Sequence, residues 1–389
     1  MMGSAERIGR ARRAGLRASG IASKAPIRHL DPTLVLTAFA LTAFGNLMVY
    51  SASFRRLEND GLSPRYLLNR QLMFSLLGVV VMVVMASFSY RRLKTWGPAA
   101  YVGGVLALFA VLSPIGSSAK GAQRWIGMGF FQMQPSEFMK VATLVVLALY
   151  MSERRGSLGL PEAVRAIALI VPPGLLIYVQ PDLGTLLVIL AVLLALLVVG
   201  GTKGRVLLLI AVMGIASIVG VLHAGVLKDY QVARLTGFLD PSADTQRTGY
   251  NLNQARISVG SGQIVGKGLF SGTQTNLDFV PEVHTDFIFT AVAEETGFIG
   301  AVVLLGLFAI FIWRGLRIAM LSKDRFGALL ATGVVATIAF QMFVNIGMTI
   351  GVSPITGIPL PFVSYGGSSM LTTYVATGIL LNVHMRRLV

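Results

Sequence analysis

The sequence predicts an all-α polytopic membrane protein of about ten transmembrane helices. Both termini are expected in the cytoplasm, with one large extracellular loop between spans seven and eight. Three observations carry that fold class. Of 389 residues, 54% are hydrophobic and only 13% charged, where a soluble domain holds about 25% charged. Apolar runs long enough to cross a bilayer recur along the whole chain. Basic residues concentrate in alternate connections: 21 of the 33 Lys and Arg fall in segments that an inside N-terminus places in the cytoplasm.

The first 31 residues are basic and polar, without the apolar core or cleavage site of a signal peptide, and read as a cytoplasmic tail. Residues 32–389 read as a single ten-span membrane domain. Its spans are expected near 32–53, 68–88, 97–114, 135–152, 165–180, 183–200, 206–224, 285–314, 327–352 and 366–385. Span four opens on "QPSEFMK", with Pro135 suited to a first helical turn. Span six opens after "QPDLGT", and span ten opens on Gly366, Gly367, Ser368 and Ser369. All three enter from outside, so their positive N-terminal ends face one side, where an anion would be welcome.

The extracellular loop, about 225–284, is rich in Gly, Asn, Gln and Ser yet keeps enough apolar residues to lie partly ordered on the membrane. The last outer connection, Gly351–Ser369, carries Pro354, Pro359 and Pro361. It cannot be regular helix and is expected to dip into the protein.

Composition excludes several chemistries. The chain has no cysteine, so disulfides, thiolate nucleophiles, iron–sulfur clusters and cysteine zinc sites are out. Its four His show no zinc spacing. The net charge of +16 follows from topology, and nucleic acid is not an expected partner. "SGQIVGKG" imitates a phosphate loop, but Ser261 and Gly268 stand where that motif needs Gly and Ser or Thr. His284, Asp286 and Ser364 lack the nucleophile elbow of a hydrolase triad.

Ionisable groups within spans are costly and so are functional candidates. Glu137 and Lys140 lie three apart on one helix face, as a structural ion pair or a binding site. Asp182 sits at the mouth of span six. Asp286, at the start of span eight, shares a helical stripe with Thr290, Ala293, Gly297 and Gly300; cap and catalyst are equally open for it. Glu294 and Glu295, about 12 Å deeper, read as interhelical hydrogen-bonders.

Five ordered motifs now make a resemblance. "KGAQRWIGMGFFQMQPSEFMK", "QPDLGT", "FLDP…GYN…QARISVGSG…GKG…GTQ", "PEVHTDFIFTAVAEETGFIG" and "GIPLPFVSYGGSS" resemble those of the shape, elongation, division and sporulation (SEDS) family across nearly the whole chain beyond the tail. "GTQTNLDFVPEVHTDF" is similar to the elongation (RodA) branch rather than the division (FtsW) branch.

The resemblance implies a ten-span peptidoglycan glycosyltransferase of a bacterial cytoplasmic membrane. It would polymerise lipid II at the outer face during cell elongation. The implied partners are a single-span class B penicillin-binding protein with transpeptidase activity and other elongation-complex membrane proteins. The essential aspartate of "HTDF" falls on Asp286, the implied general base. The implied substrate-binding set is Glu137, Lys140, Arg124, Trp125, Lys120, His284, Ser364, Gly366 and Gly367. Lys140, Arg124, helix ends or a divalent cation such as Mg or Mn would hold the pyrophosphate of the undecaprenyl leaving group. The rival functions are a lipid II flippase and a non-enzymatic scaffold of the wall-synthesis complex.

Overall fold

A computed structural model describes residues 29–387 other than 115, 120–121, 130, 155, 224–247 and 278. Most of the expected tail, the first part of the long loop and Lys120 therefore lie outside the described residues. A helix covers each of the ten expected segments: α1 (Pro32–Asn59), α2 (Tyr66–Ser87), α3 (Leu93–Val111), α4 (Pro135–Ser152), α5 (Leu160–Val179), α6 (Leu183–Val199), α7 (Gly204–His223), α10 (Ile288–Met320), α11 (Arg325–Ile350) and α12 (Gly367–Met385). Six of them, α1, α2, α4, α5, α10 and α11, have the length and apolar composition to cross a membrane. The chain is a polytopic helical membrane protein. Its large outward apolar side chains, such as Leu76, Leu106 and Leu208, fit a lipid surround.

Local chemistry sets the helix ends. Asp31 caps α1 by accepting from the Leu34 N–H at 3.1 Å, ahead of Pro32. The same carboxylate binds Arg314 at 2.9 Å, fastening α1 to the far end of α10. Asp182 caps α6 through the Thr185 N–H, and Asp324 caps α11 through Gly327. Gly351 ends α11 in the left-handed conformation at φ 78°.

Small residues let the helices close in. A Cβ on Gly78 of α2 would lie 2.4 Å from the Tyr374 ring of α12, and one on Gly378 of α12 2.8 Å from the Met82 carbonyl of α2. The proline-rich connection does dip inward: Leu360, Phe362 and Val363 are fully buried. It lies so tightly on α1 that a Cβ on Gly45 would meet the Val363 Cα at 2.5 Å.

Three features depart from expectation. First, the fold is not purely helical. Strands β1 (Gly116–Ala119), β2 (Ala122–Met128) and β3 (Phe131–Met133) form an antiparallel sheet between α3 and α4. The strands are too short to signal in a sequence dominated by apolar helices.

Second, α10 begins at Ile288, not Thr285, and its N-cap is Phe287 with no capping side chain. Asp286 lies in the preceding turn, so it neither caps the helix nor shares its stripe. Third, α10 is broken at Gly297, whose φ of 65° and ψ of −163° suit only glycine. The failed phosphate-loop segment repairs the break. Lys267 and Gly268 N–H groups donate to the Glu294 and Glu295 carbonyls, and Phe298 and Ile299 donate to the carbonyls of Gln263 and Ile264. The rest of the long loop contributes α8 (Thr248–Ser261) and the single turn α9 (Thr273–Asn276), in line with a partly ordered loop.

Candidate functional site

The N-termini of α4, α6 and α12 converge on one cavity of about 700 Å³. Gln134, Glu137, Lys140, Asp182, Thr185, Gly366, Gly367, Ser368 and Ser369 bring it their first turns. Further walls come from Arg70 of α2, Arg124 and Trp125 of the sheet, the turn Pro281–Phe287, Gln341 of α11 and Ile355–Pro359. Three positive helix ends facing one space make it receptive to an anion.

Asp286 lines this cavity. Its Oδ2 lies 3.3 Å from where a Gly357 Cβ would stand, a tight approach, and Gly357 itself has a φ of 72° that favours glycine. The Asn345 amide donates to the carbonyls of Asp286 (2.8 Å) and Ile358 (2.7 Å), locking the aspartate turn to the dipping connection. Lys140 Nζ bonds Glu137 Oε1 at 2.7 Å, with both side chains buried, and the Thr372 hydroxyl donates to Glu137 Oε2 at 3.1 Å. Among the described residues the ammonium has no other partner, which leaves donors facing the cavity.

Asp182 is saturated instead. It accepts from Gln134 at 3.1 Å, from Ser136 and Thr185 hydroxyls at 2.9 Å, and from the Thr185 N–H.

The structure gathers most of the expected residues here: Asp286, Glu137, Lys140, Arg124, Trp125, His284, Gly366 and Gly367 all line the cavity. Their roles differ. Arg124 bonds the carbonyls of Gln180 and Pro181, tying the sheet to the mouth of α6. Gly367 is a packing position, because a Cβ there would meet Phe74 and Phe131 within 2.9 Å. The His284 ring packs against Tyr365 with centroids 5.8 Å apart.

Ser364 is buried beside the aspartate turn. Its hydroxyl donates to the Thr285 carbonyl at 2.6 Å and accepts from the Leu360 N–H at 2.8 Å, so it positions the aspartate turn.

Residues not foreseen are Arg70, Thr185, Gln341 and Thr356. One signal was available for Gln341: with Asn345 it makes an i, i+4 amide pair within an apolar helix. Among the described residues no three His, Asp or Glu side chains gather as a metal cage.

The fold and cavity define a membrane-embedded protein that presents the Asp286 carboxylate in an anion-receptive pocket at one end of its helices. Residues 32–388 match the cell cycle protein family of FtsW, RodA and SpoVE, and the chain belongs to it. It is 38% identical over 359 residues to the peptidoglycan glycosyltransferase MrdB of Escherichia coli K12, covering 92% of this chain and 94% of that protein. The stage V sporulation protein E of Bacillus subtilis is 36% identical, with 91% and 96% covered.

Among solved structures, a chain from "Structural coordination of polymerization and crosslinking by a peptidoglycan synthase complex" aligns at a TM-score of 0.77 and 32% identity, covering 92% of this chain and 98% of that one. Thermus thermophilus RodA aligns at 0.68 and 29%, covering 92% and 98%.

Proposed function

We propose that the chain is a peptidoglycan glycosyltransferase that polymerises lipid II, with Asp286 as general base. The observation that carries this reading is Asp286 and Lys140 on one wall system, in a cavity bounded by three helix N-termini. A base and an anion site are what an inverting transfer from a pyrophosphate-linked sugar requires. Asp286 takes the proton of the acceptor 4-hydroxyl while its oxygen attacks the anomeric carbon of the donor. The bond from that carbon to the pyrophosphate breaks, and undecaprenyl pyrophosphate leaves with its electron pair. Lys140 and the helix ends stabilise the departing charge, so no strong acid is needed.

A second, apolar cavity of about 390 Å³, lined by Trp96, Gly104, Phe138 and Val145 among others, suits a polyprenyl chain.

The reading places ten spans in the bacterial cytoplasmic membrane, with a cytoplasmic tail over 1–31, a membrane domain over 32–389, an extracellular loop near 225–284 and the cavity outside. A class B penicillin-binding protein is the partner, a reading supported by the similarity to a chain of a peptidoglycan synthase complex. The elongation role rests on the motif of the RodA branch and on the likeness to MrdB and RodA.

The test incubates purified protein, with and without that partner, with lipid II and no nucleotide, and resolves products on a gel. Glycan ladders are expected. No polymer in either mixture, together with lipid II crossing vesicle membranes, would establish the flippase instead. Topology is checked with single cysteines in this cysteine-free chain. An impermeant thiol reagent on intact cells should label Ser271→Cys and Val352→Cys but not Lys323→Cys.

A further inference from the structure

Helix α11 carries two amides one turn apart, and only one of them has a structural task. Asn345 spends both N–H donors on the Asp286 and Ile358 carbonyls. Gln341 is 3% exposed, lines the cavity, and has no hydrogen bond to any described group. Its amide atoms are not sealed among the buried unpartnered ones but open onto the cavity, where they are available to a ligand.

Packing fixes its level. A Cβ on Gly333 would touch Leu144 of α4 at 2.4 Å and lie 3.5 Å from Leu196 of α6. Lys140 is four residues, about 6 Å, outward of Leu144 on α4, and Gln341 is eight residues, about 12 Å, outward of Gly333 on α11, so Gln341 lines the cavity at a level between Lys140 and Asn345, the residue that holds the Asp286 carbonyl. It therefore sits between the proposed anion site and the proposed base. Asn345 Oδ1, also buried and unpartnered among the described residues, is one turn away.

We infer that Gln341 is a specificity residue that binds the 2-acetamido group of the donor sugar. This rests on the glycosyltransferase reading. If Lys140 holds the pyrophosphate and Asp286 faces the attacking hydroxyl, the anomeric carbon lies between them. The substituent on the adjacent carbon of an N-acetylhexosamine is an amide. A glutamine amide offers one acceptor and two donors, the complement of a secondary amide. A phosphate accepts only and would leave the glutamine carbonyl facing an anion. A site built to pair a polar group also rejects the analogue that lacks it.

The test compares natural lipid II with an analogue bearing a 2-hydroxyl in place of the acetamide on the donor sugar, using wild type and Gln341→Met. Wild type should favour the natural substrate by about tenfold or more in kcat/KM. Gln341→Met should lose about tenfold on the natural substrate and less than twofold on the analogue, so the preference collapses. An unchanged preference, whatever the absolute rate, overturns the proposal, as does a wild type that does not discriminate. If Gln341→Met does not melt as wild type, Gln341→Glu carries the same comparison, since it loses the amide donors at nearly the same shape. Wild type on natural lipid II is the control for the underlying reading: no polymer there removes the glycosyltransferase, whereas polymer with an unmoved preference removes only the role of Gln341.

Discussion

Two buried glutamates hold lysines at nearly equal distance, 2.7 Å for Glu137–Lys140 and 2.8 Å for Glu294–Lys267, yet their surroundings differ. Glu294 also accepts from the hydroxyls of Ser258, Thr273 and Thr275 and from the Gln274 and Thr275 N–H groups. Every one of those donors belongs to the long loop. Beside it, Glu295 accepts from Ser51 of α1 and from the Phe270 N–H. Among the described residues Glu137 takes only Lys140 and Thr372, and its lysine keeps donors facing the cavity. A saturated carboxylate in low dielectric is a fastener, and a sparsely bonded pair beside a cavity is a receptor. The expected interhelical role holds for Glu295, which ties α10 to Ser51 of α1, while Glu294 anchors the loop to the broken helix.

That contrast can be tested by separating rate from stability. The largest effect is expected at the cavity: Asp286→Asn should lower polymerisation by about 10²- to 10⁴-fold with an unshifted melting temperature. Normal polymer would sink the general base.

Next, Glu294→Ala strands Lys267 and the backbone donors of α9. It should cost about 3 kcal/mol, the low end for a broken buried pair because Lys267 is part-exposed, read as thermal unfolding in detergent. A variant as stable as wild type would end the fastener role.

Gly297→Ala should cost about 2 kcal/mol from backbone strain, since its Cβ would also lie 2.3 Å from the Gly266 nitrogen. Weakened protection of the 263–268 amides in hydrogen exchange would mark the opened strap.

Smallest is the coupling across the receptor pair. Glu137→Gln and Lys140→Met should each hurt more than additivity allows, with an interaction of about 1 kcal/mol in a double-mutant cycle. Simple additivity would make the two charges independent.

Much of this was legible beforehand. A bilayer demands that every spanning segment satisfy its own backbone, so apolar runs marked a polytopic helical membrane protein, and six of its helices have the length and apolar composition to cross. Cost alone flagged Asp286, Glu137 and Lys140, because a membrane chain carries so few buried charges. Proline spacing marked Gly351–Ser369 as an inward, irregular segment.

Tertiary structure decided the rest, because it depends on which groups meet across long separations. Whether a carboxylate fastens or receives is set by its donors, and those of Glu294 lie 19–36 residues away. The break in α10 exists only because a strap 31 residues upstream supplies the missing bonds at Gly297, so its helical periodicity concealed it. The bond by which Ser364 braces the aspartate turn joins residues 79 apart and could not be read from the sequence. Gln341 looked like one polar residue in an apolar run. Its amide acquires meaning only where α4, α6 and α11 pack together and leave it, without a hydrogen bond to any described group, on the cavity that Lys140 and Asp286 also line.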